Sequence, residues 1–527
     1  MAAQLLPLLL LALLWAGPSM ASELGAGPEL LEQGRRIYQQ GLLGDGQPLQ
    51  ASGAGGTRLS GEGAACVQCH KRSGMGSREG SLAIPAIAGP LLFAPPLAWG
   101  ERRATAPDLQ RSASRQQARA AYSDATLARA LREGLDASGQ ALQQLMPRYA
   151  LNPADLQALS AYLHQLSAAP VTGLQDGVLH LATIISPDAD PLRAQVLRDT
   201  LSAWARAGTV GGLTMELQVW QLQGPAQSWQ QQLQGWQRQR PVYAVLSGAG
   251  AAEWTPVRDF CEQAALPCLF PMVDLAPSDA QDFYTLYFSR GVPLEAQLLA
   301  RHLRDQEPPP PQARVIQVYA DAAGLRAAQL LNQDLQGGAA DMRAWSDAPN
   351  AVLAGVTPAD RLVLWLRPPE LAQLLQQAPL GPVSQQVFLS AQLADPATLE
   401  LPSAWRSAVR WVSVRADPAR LYGKAVLGLL PWAAQLGLAV DAPALPAEVY
   451  ASTYFFADAL ARMRGSWNQA YLMETLEGAN FGRPAGAAFF SLSLAPGQRE
   501  AAKGGHLLGY AQAGAATVQT LGPRLTP

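Results

Sequence analysis

No five residues constrain this chain more than Cys66-Val67-Gln68-Cys69-His70. Two thiols separated by two residues, with an imidazole directly after the second, have the spacing at which a haem is attached. The sulfurs add to its two vinyl groups and the histidine is aimed at the iron. Other readings of a Cys-x-x-Cys pair fit less well. A zinc half-site needs more Cys or His than this region offers, and a thioredoxin-like redox pair should open a helix that follows a strand. Here a helical segment, Glu29 to Gly41, and the Gly-rich stretch Gly44 to Gly63 come first. Against a plain structural disulfide, spacing and chemistry coincide on one covalent haem at Cys66 and Cys69, with His70 as proximal iron ligand. A di-haem peroxidase would need a second such motif, and the chain has none.

The amino terminus points to export. Met1 to Ala21 reads MAAQLLPLLLLALLWAGPSMA, and its apolar stretch Leu8 to Ala16 is too short for a membrane span of ~20 residues but suits the h-region of a secretory signal. Ser19-Met20-Ala21 places small residues where a signal peptidase inspects them, so cleavage after Ala21 is expected. An n-region without Lys or Arg leaves an uncleaved anchor as the alternative. No later run is long enough to span, and the mature protein is expected in the periplasm, where cysteines can pair. At ~150 residues per domain the length suggests three or four folding units. With 49% hydrophobic residues and a net charge of -2 the chain is not disordered. Its 39 basic against 41 acidic residues give no global field for nucleic acid or an anionic membrane surface.

Texture divides the chain into a signal peptide (1–21), a first domain (22–168), a linker (169–177), a second domain (178–516) and a tail (517–527). In the first domain, helices are expected at Glu29 to Gly41, Asp124 to Glu133 and Asn152 to Leu166. The last has Asn152 as N-cap, Pro153 at N1, Asp155 against the helix dipole, and Leu156, Leu159, Leu163 and Leu166 on one face. After the linker, short apolar runs alternate with amphipathic segments. Strands are expected at 178–185, 215–220, 242–247, 268–271, 314–319, 361–366, 386–389 and 409–414. That alternation argues for parallel sheets covered on both faces, in two α/β lobes. The Pro-rich segment Glu307 to Gln312 is a stiff connection where one lobe could hand over to the other.

Residues Glu29 to Leu166 resemble the class I mono-haem c-type cytochromes. The resemblance rests on the helix carrying Gly34 and Tyr38, the CVQCH motif, and Leu145-Met146-Pro147-Arg148-Tyr149 ahead of a helix with Tyr162-Leu163. It implies an all-α domain holding haem c, with Met146 as the distal iron ligand. Met75, only five residues from His70, is the alternative, but so short a loop reaches the opposite haem face with difficulty. The 76 residues between His70 and Met146 exceed the family's usual spacing, and the extra length falls around Ala86 to Ala121. Within it five arginines (102, 103, 111, 115 and 119) form either a collar that steers an acidic redox partner or a solvated loop. A His and a Met together fill both axial positions, which suits electron transfer better than oxygen chemistry. His164 is expected to face solvent, and His180, His302 and His506 to be structural.

The second domain resembles the type I periplasmic binding proteins of the branched-chain amino acid receptor branch, in a pattern carried by Val242 to Glu253, Phe260 to Phe270, Tyr284 to Leu299, Val315 to Gly324 and Leu494 to Gly505. This implies a bilobal α/β fold with a small-molecule cleft at the hinge. Such receptors hold a ligand carboxylate with hydroxyls and main-chain N–H groups after the third strand. Here Ser247-Gly248-Ala249 begins that loop and hydroxyls are missing after Ser247, so another ligand or a docking surface is as plausible as amino acid capture. Asp321 and Trp365 are further cleft candidates. Cys261 and Cys268 flank a short turn and are expected to form a local disulfide, two buried free thiols being the alternative.

The expectation is thus a multidomain exported protein: an all-α cytochrome c domain followed by a bilobal α/β periplasmic-binding-protein-like domain. Its function is electron transfer to or from a redox partner protein, an exported dehydrogenase or terminal oxidase chain. The alternatives are a solute receptor with a redox-reporting haem and an electron-accepting subunit of a dehydrogenase complex. No catalytic triad, phosphate loop or acid pair marks the chain itself as an enzyme.

Overall fold

The computed structural model describes residues 27–79, 82–94, 120–305, 312–335, 341–346, 349–377, 384–416, 426–439, 444–463, 465–479, 481, 488–489, 491–512, 515 and 517–527. The signal segment, the five arginines of the 101–119 stretch and nearly all of the Pro-rich connection lie outside them. The chain divides into two compact units with the break at Ala168/Ala169.

The first unit is built on the crossing of two helices, Pro28–Gln40 and Pro153–Gln165. Pro28 opens the first, and Gly41 closes it in the left-handed conformation, its N–H donating to Arg36 O and Ile37 O. Asn152 caps the second by accepting from the Asp155 N–H. Asp155 in turn is buried and accepts from Gln33 and from the Gly44 N–H, which fixes the loop beside the first helix. The helices touch at Gly34: a Cβ added there would lie 2.1 Å from Ala158 O, so only glycine permits the approach. Ile37, Tyr38, Leu127, Leu131, Leu151, Leu159 and Leu163 fill the core around this crossing.

The all-α expectation needs correcting. Strands Arg58–Ser60, Gln50–Ser52 and Arg148–Tyr149 form a small antiparallel sheet in that order, and Ser77–Glu79 pairs with Leu82–Ile84 in a hairpin. The cause lies in the Gly-rich stretch, where Gly46, Gly55, Gly56 and Gly61 take positive φ and let the chain reverse within a few residues.

The second unit has two seven-stranded sheets. The first runs in the order Thr285–Leu286, Cys268–Leu269, Ala244–Ala249, Val178–Ile185, Leu213–Gln221, Thr209–Val210, with Leu174–Gln175 also on Val178–Ile185. The expected linker therefore ends inside a sheet. The second sheet has five parallel strands, Asp341–Ala344, Val315–Tyr319, Arg361–Trp365, Gln386–Ser390 and Val409–Ser413, and finishes with antiparallel Gly505–Tyr510 and Val518–Leu525. The expected tail is thus an edge strand, with Leu525 2% exposed. The lobes do not hand over at the Pro-rich segment: helix Val292–Asp305 already packs into the core of the second lobe. Helices Ala444–Met463 and Gln469–Glu477 return to the first, placing Phe456, Leu460 and Met473 against Leu181 and Leu201. No described helix is long and apolar enough to cross a membrane.

Candidate haem centre and inter-lobe cleft

Val67–His70 is a single helical turn in which the His70 N–H donates to Cys66 O at 2.9 Å. Residues at i, i+3 and i+4 share one side of a helix, so Cys66, Cys69 and His70 are presented together. Cys66 is a free, buried thiol and Cys69 is exposed, so the two are not bridged to each other. The turn ends at Lys71 with φ 65°, a conformation unfavourable for lysine. Tyr38 holds it there, its hydroxyl donating to Lys71 O at 2.7 Å.

His70 is buried, with Nδ1 2.9 Å from Pro85 O. A carbonyl can only accept, so Nδ1 carries the proton and Nε2 keeps the lone pair, the orientation a metal-ligating histidine needs. Burial pushes the imidazole pKa down to about 4, which keeps the ring neutral. Burial likewise pushes the Cys66 thiol up to about 12, with the Tyr149 hydroxyl hydrogen-bonded beside it. Two thiols and a neutral, oriented imidazole on one turn fit a covalently attached haem.

Met146 is half-buried against the same core that holds Cys66, and its N–H donates to Gln143 O at 3.0 Å. Met75 is buried in the loop whose Gly76 N–H is bonded to His70 O, on the histidine's own stretch of chain. His164 is half exposed and stacks on Phe93 at 3.5 Å between ring centroids. His180 packs 3.2 Å from Glu216, and His302 and His506 are buried.

In the second unit the expected cleft residues sit differently. Ser247 is buried and hydrogen-bonded to Ser452 Oγ at 2.8 Å, and Ala249 is fully buried. Gly248 sits with them in a strand buried along its whole length. The N–H groups that would greet a ligand carboxylate are engaged within the chain: Gly250 donates to Met272 O, and Ala251 lies 3.4 Å from the Asp188 carboxylate. Trp365 is 1% exposed and donates to Gln317 Oε1 at 2.9 Å, so it belongs to the core. Its strand ends there, but its side chain enters the sheet–helix layer instead of the cleft. Asp321 caps helix Ala322–Asp334 and also pairs with Arg367 at 2.7 Å.

That pair leads to a network that spans the lobes. Fully buried Asp274, in the first lobe, accepts from Arg193 at 3.2 Å and, across the cleft, from Arg367 at 2.7 Å and Gln392 at 2.9 Å. Gln392 Oε1 accepts from Arg415, which donates back across to Glu448 at 2.5 Å. Burial opposes ionisation of Asp274, but Arg193 and Arg367 outweigh it and hold the carboxyl below its ordinary range. Glu295 accepts from Ser390 Oγ and the Gln392 N–H, and burial pushes it up to about 8. These residues carry no spacing signature. The nearest sequence clue is single charges set at the ends of apolar strands, as in Val412-Ser413-Val414-Arg415. The disulfide joins Cys261 and Cys268, with 6.2 Å between their Cα atoms.

Residues 54–167 match the cytochrome c family model. The second unit is similar in fold to solved binding proteins. A leucine-binding protein of Thermotoga maritima is 13% identical with TM-score 0.51, covering 66% of this chain and 99% of its own. A solute-binding protein of an ABC transporter from Rhodopseudomonas palustris, in complex with 3,4-dihydroxybenzoic acid, is 11% identical with TM-score 0.53, covering 67% and 98%. A substrate-binding periplasmic protein of Ralstonia solanacearum is 15% identical with TM-score 0.52, covering 65% and 100%. No curated protein is significantly similar to the chain. The chain therefore combines a segment that matches the cytochrome c family model with a unit that has the fold of periplasmic binding proteins.

Proposed function

We propose that this protein is a periplasmic electron carrier. One haem c would be attached through Cys66 and Cys69, His70 and Met146 are the residues that would hold its iron, and the group when bound supplies one-electron transfer. The chain's own part is to keep His70 neutral and aimed through Pro85, to shield the site with the core around Tyr38 and Leu131, and to bring a partner to it. The observation that carries this reading is the one-turn helix with Cys66, Cys69 and His70 on one side and His70 Nδ1 on Pro85 O. The test is the holoprotein made with a c-type maturation system. One haem per chain that survives denaturing electrophoresis, and is lost in Cys66→Ser/Cys69→Ser, is expected. Reduced protein that binds carbon monoxide would overturn Met146 as a residue that holds the iron.

For the second unit, a body that docks a redox partner fits better than solute capture, because the chain's own side chains tie the lobes together at the cleft. The receptor reading is supported by fold similarity to ligand-binding proteins. Thermal shift of the full chain with leucine, valine and 3,4-dihydroxybenzoate separates the two: stabilisation that grows with ligand concentration restores the receptor reading. Export is checked by the mature amino terminus, expected at Ser22.

A further inference from the structure

Met146 ends a loop that leaves helix Asp124–Glu133 at Gly134 and rejoins the small sheet at Arg148–Tyr149. The loop has little regular structure: Leu142 N–H donates to Gly134 O at 2.8 Å, and Leu135 bridges to Ala141. One side chain spans its two ends. Arg148 donates from Nη1 to the carbonyl of Met146, and its guanidinium rests on the main chain of Gly134. A Cβ added at Gly134 would lie 1.8 Å from Arg148 Cζ and 2.0 Å from Nε and Nη2. Gly134 also closes its helix at φ 76°, so glycine there serves the turn and makes room for the guanidinium. The Arg148 backbone is itself registered against Ser52 in the sheet. Among the described residues no carboxylate pairs with Arg148, and its hydrogen bond goes to Met146.

We infer that Arg148 is a positioning residue for the distal iron ligand: it staples the Met146 main chain to the carboxyl end of helix Asp124–Glu133. The inference rests on the reading of Met146 as that ligand. A thioether is a soft, neutral ligand whose hold depends on being presented in place. Without the staple, the loop moves and an exogenous ligand competes with Met146 more easily.

The test uses full-length ferric holoprotein, with imidazole as the probe and two readouts: imidazole affinity and the weak Met-to-iron charge-transfer band. A charge-assisted hydrogen bond sets the scale, so Arg148→Ala should bind imidazole about 10- to 100-fold more tightly than wild type, with a weakened band. Arg148→Lys, which keeps the charge and one donor, should recover part of the difference. Gly134→Ala, which displaces the guanidinium, should mimic Arg148→Ala, and it carries the test if Arg148→Ala does not mature. Wild-type imidazole affinity and a full band in both Arg148→Ala and Gly134→Ala would overturn the inference. Met146→Ala serves as the reference: if it too keeps the band, the ligand assignment is wrong and the inference goes with it. If Met146→Ala loses the band while the Arg148 and Gly134 variants behave as wild type, only the staple is refuted.

Discussion

Gly34→Ala tests the helix crossing on which the haem unit is built. In a helix interior this exchange ordinarily stabilises by about 1 kcal/mol, since alanine has the higher helix propensity and restricts the unfolded chain. At Gly34 the added Cβ would lie 2.1 Å from Ala158 O and 2.6 Å from Tyr162 Cβ, where ordinary contact begins at 3.4 Å. The helices must part by roughly an ångström, and the obstacle is a main-chain carbonyl inside a helix, which cannot swing aside as a side chain can. Overpacking of this kind costs about 3 kcal/mol, leaving a net loss of about 2 kcal/mol. For a unit of this size that lowers the unfolding midpoint by roughly 6–10 °C. Soret circular dichroism of the holoprotein during heating follows the haem unit alone. The comparison is Gly235→Ala, in helix Trp229–Gln239, where nothing lies within 4 Å of the added Cβ. There the same exchange should stabilise the second unit by about 0.5–1 kcal/mol. A Soret midpoint unchanged or raised in Gly34→Ala refutes the close-crossing argument.

Asp274→Ala strips a fully buried carboxylate from Arg193 and Arg367, and urea unfolding of the second unit should show a loss of about 3–5 kcal/mol. An unchanged midpoint would mean the inter-lobe pairs are not formed in solution. Glu295, pushed up to about 8 by burial, stays protonated in the fold while the unfolded chain ionises near pH 4.5. Its contribution is therefore complete below about pH 4.5 and declines as pH rises towards 8, so Glu295→Gln should flatten the fall in stability measured between pH 5 and 7. Removing the Cys261–Cys268 bridge as a double alanine variant frees a seven-residue span. Chemical unfolding should report a loss of about 2 kcal/mol on the chain-entropy model, and a loss near zero would contradict it.

How much of this was legible in the sequence depended on how local the cause was. Helix Pro153–Gln165 could be read from Asn152, Pro153 and Asp155 because a cap is made by residues three apart. The haem turn is a matter of one helical repeat. The sheet joining Gln50–Ser52 to Arg148–Tyr149 pairs segments nearly a hundred residues apart with two or three residues each, too few to print an alternating pattern. At Trp365, a strand's end says where the backbone stops and not which layer the side chain enters. Asp274, Gln392 and Arg415 become a site only when three separate parts of the chain meet, and each alone reads as an isolated polar residue.

The order in which the lobes draw on the chain has a consequence for biogenesis. The haem unit is drawn from residues that precede 169. The first lobe of the second unit, begun at Leu174, is not filled until Ala444–Met463 and Gln469–Glu477 exist, and the second lobe's sheet is not finished before Leu525. During synthesis the first lobe is therefore held back from its full core until residue 477 has been made, and the second lobe's sheet until Leu525 has been made. A chain kept open in this way is suited to being threaded across a membrane and folding on the far side, and any truncation that removes Val518–Leu525 exposes a sheet edge on which copies could pair.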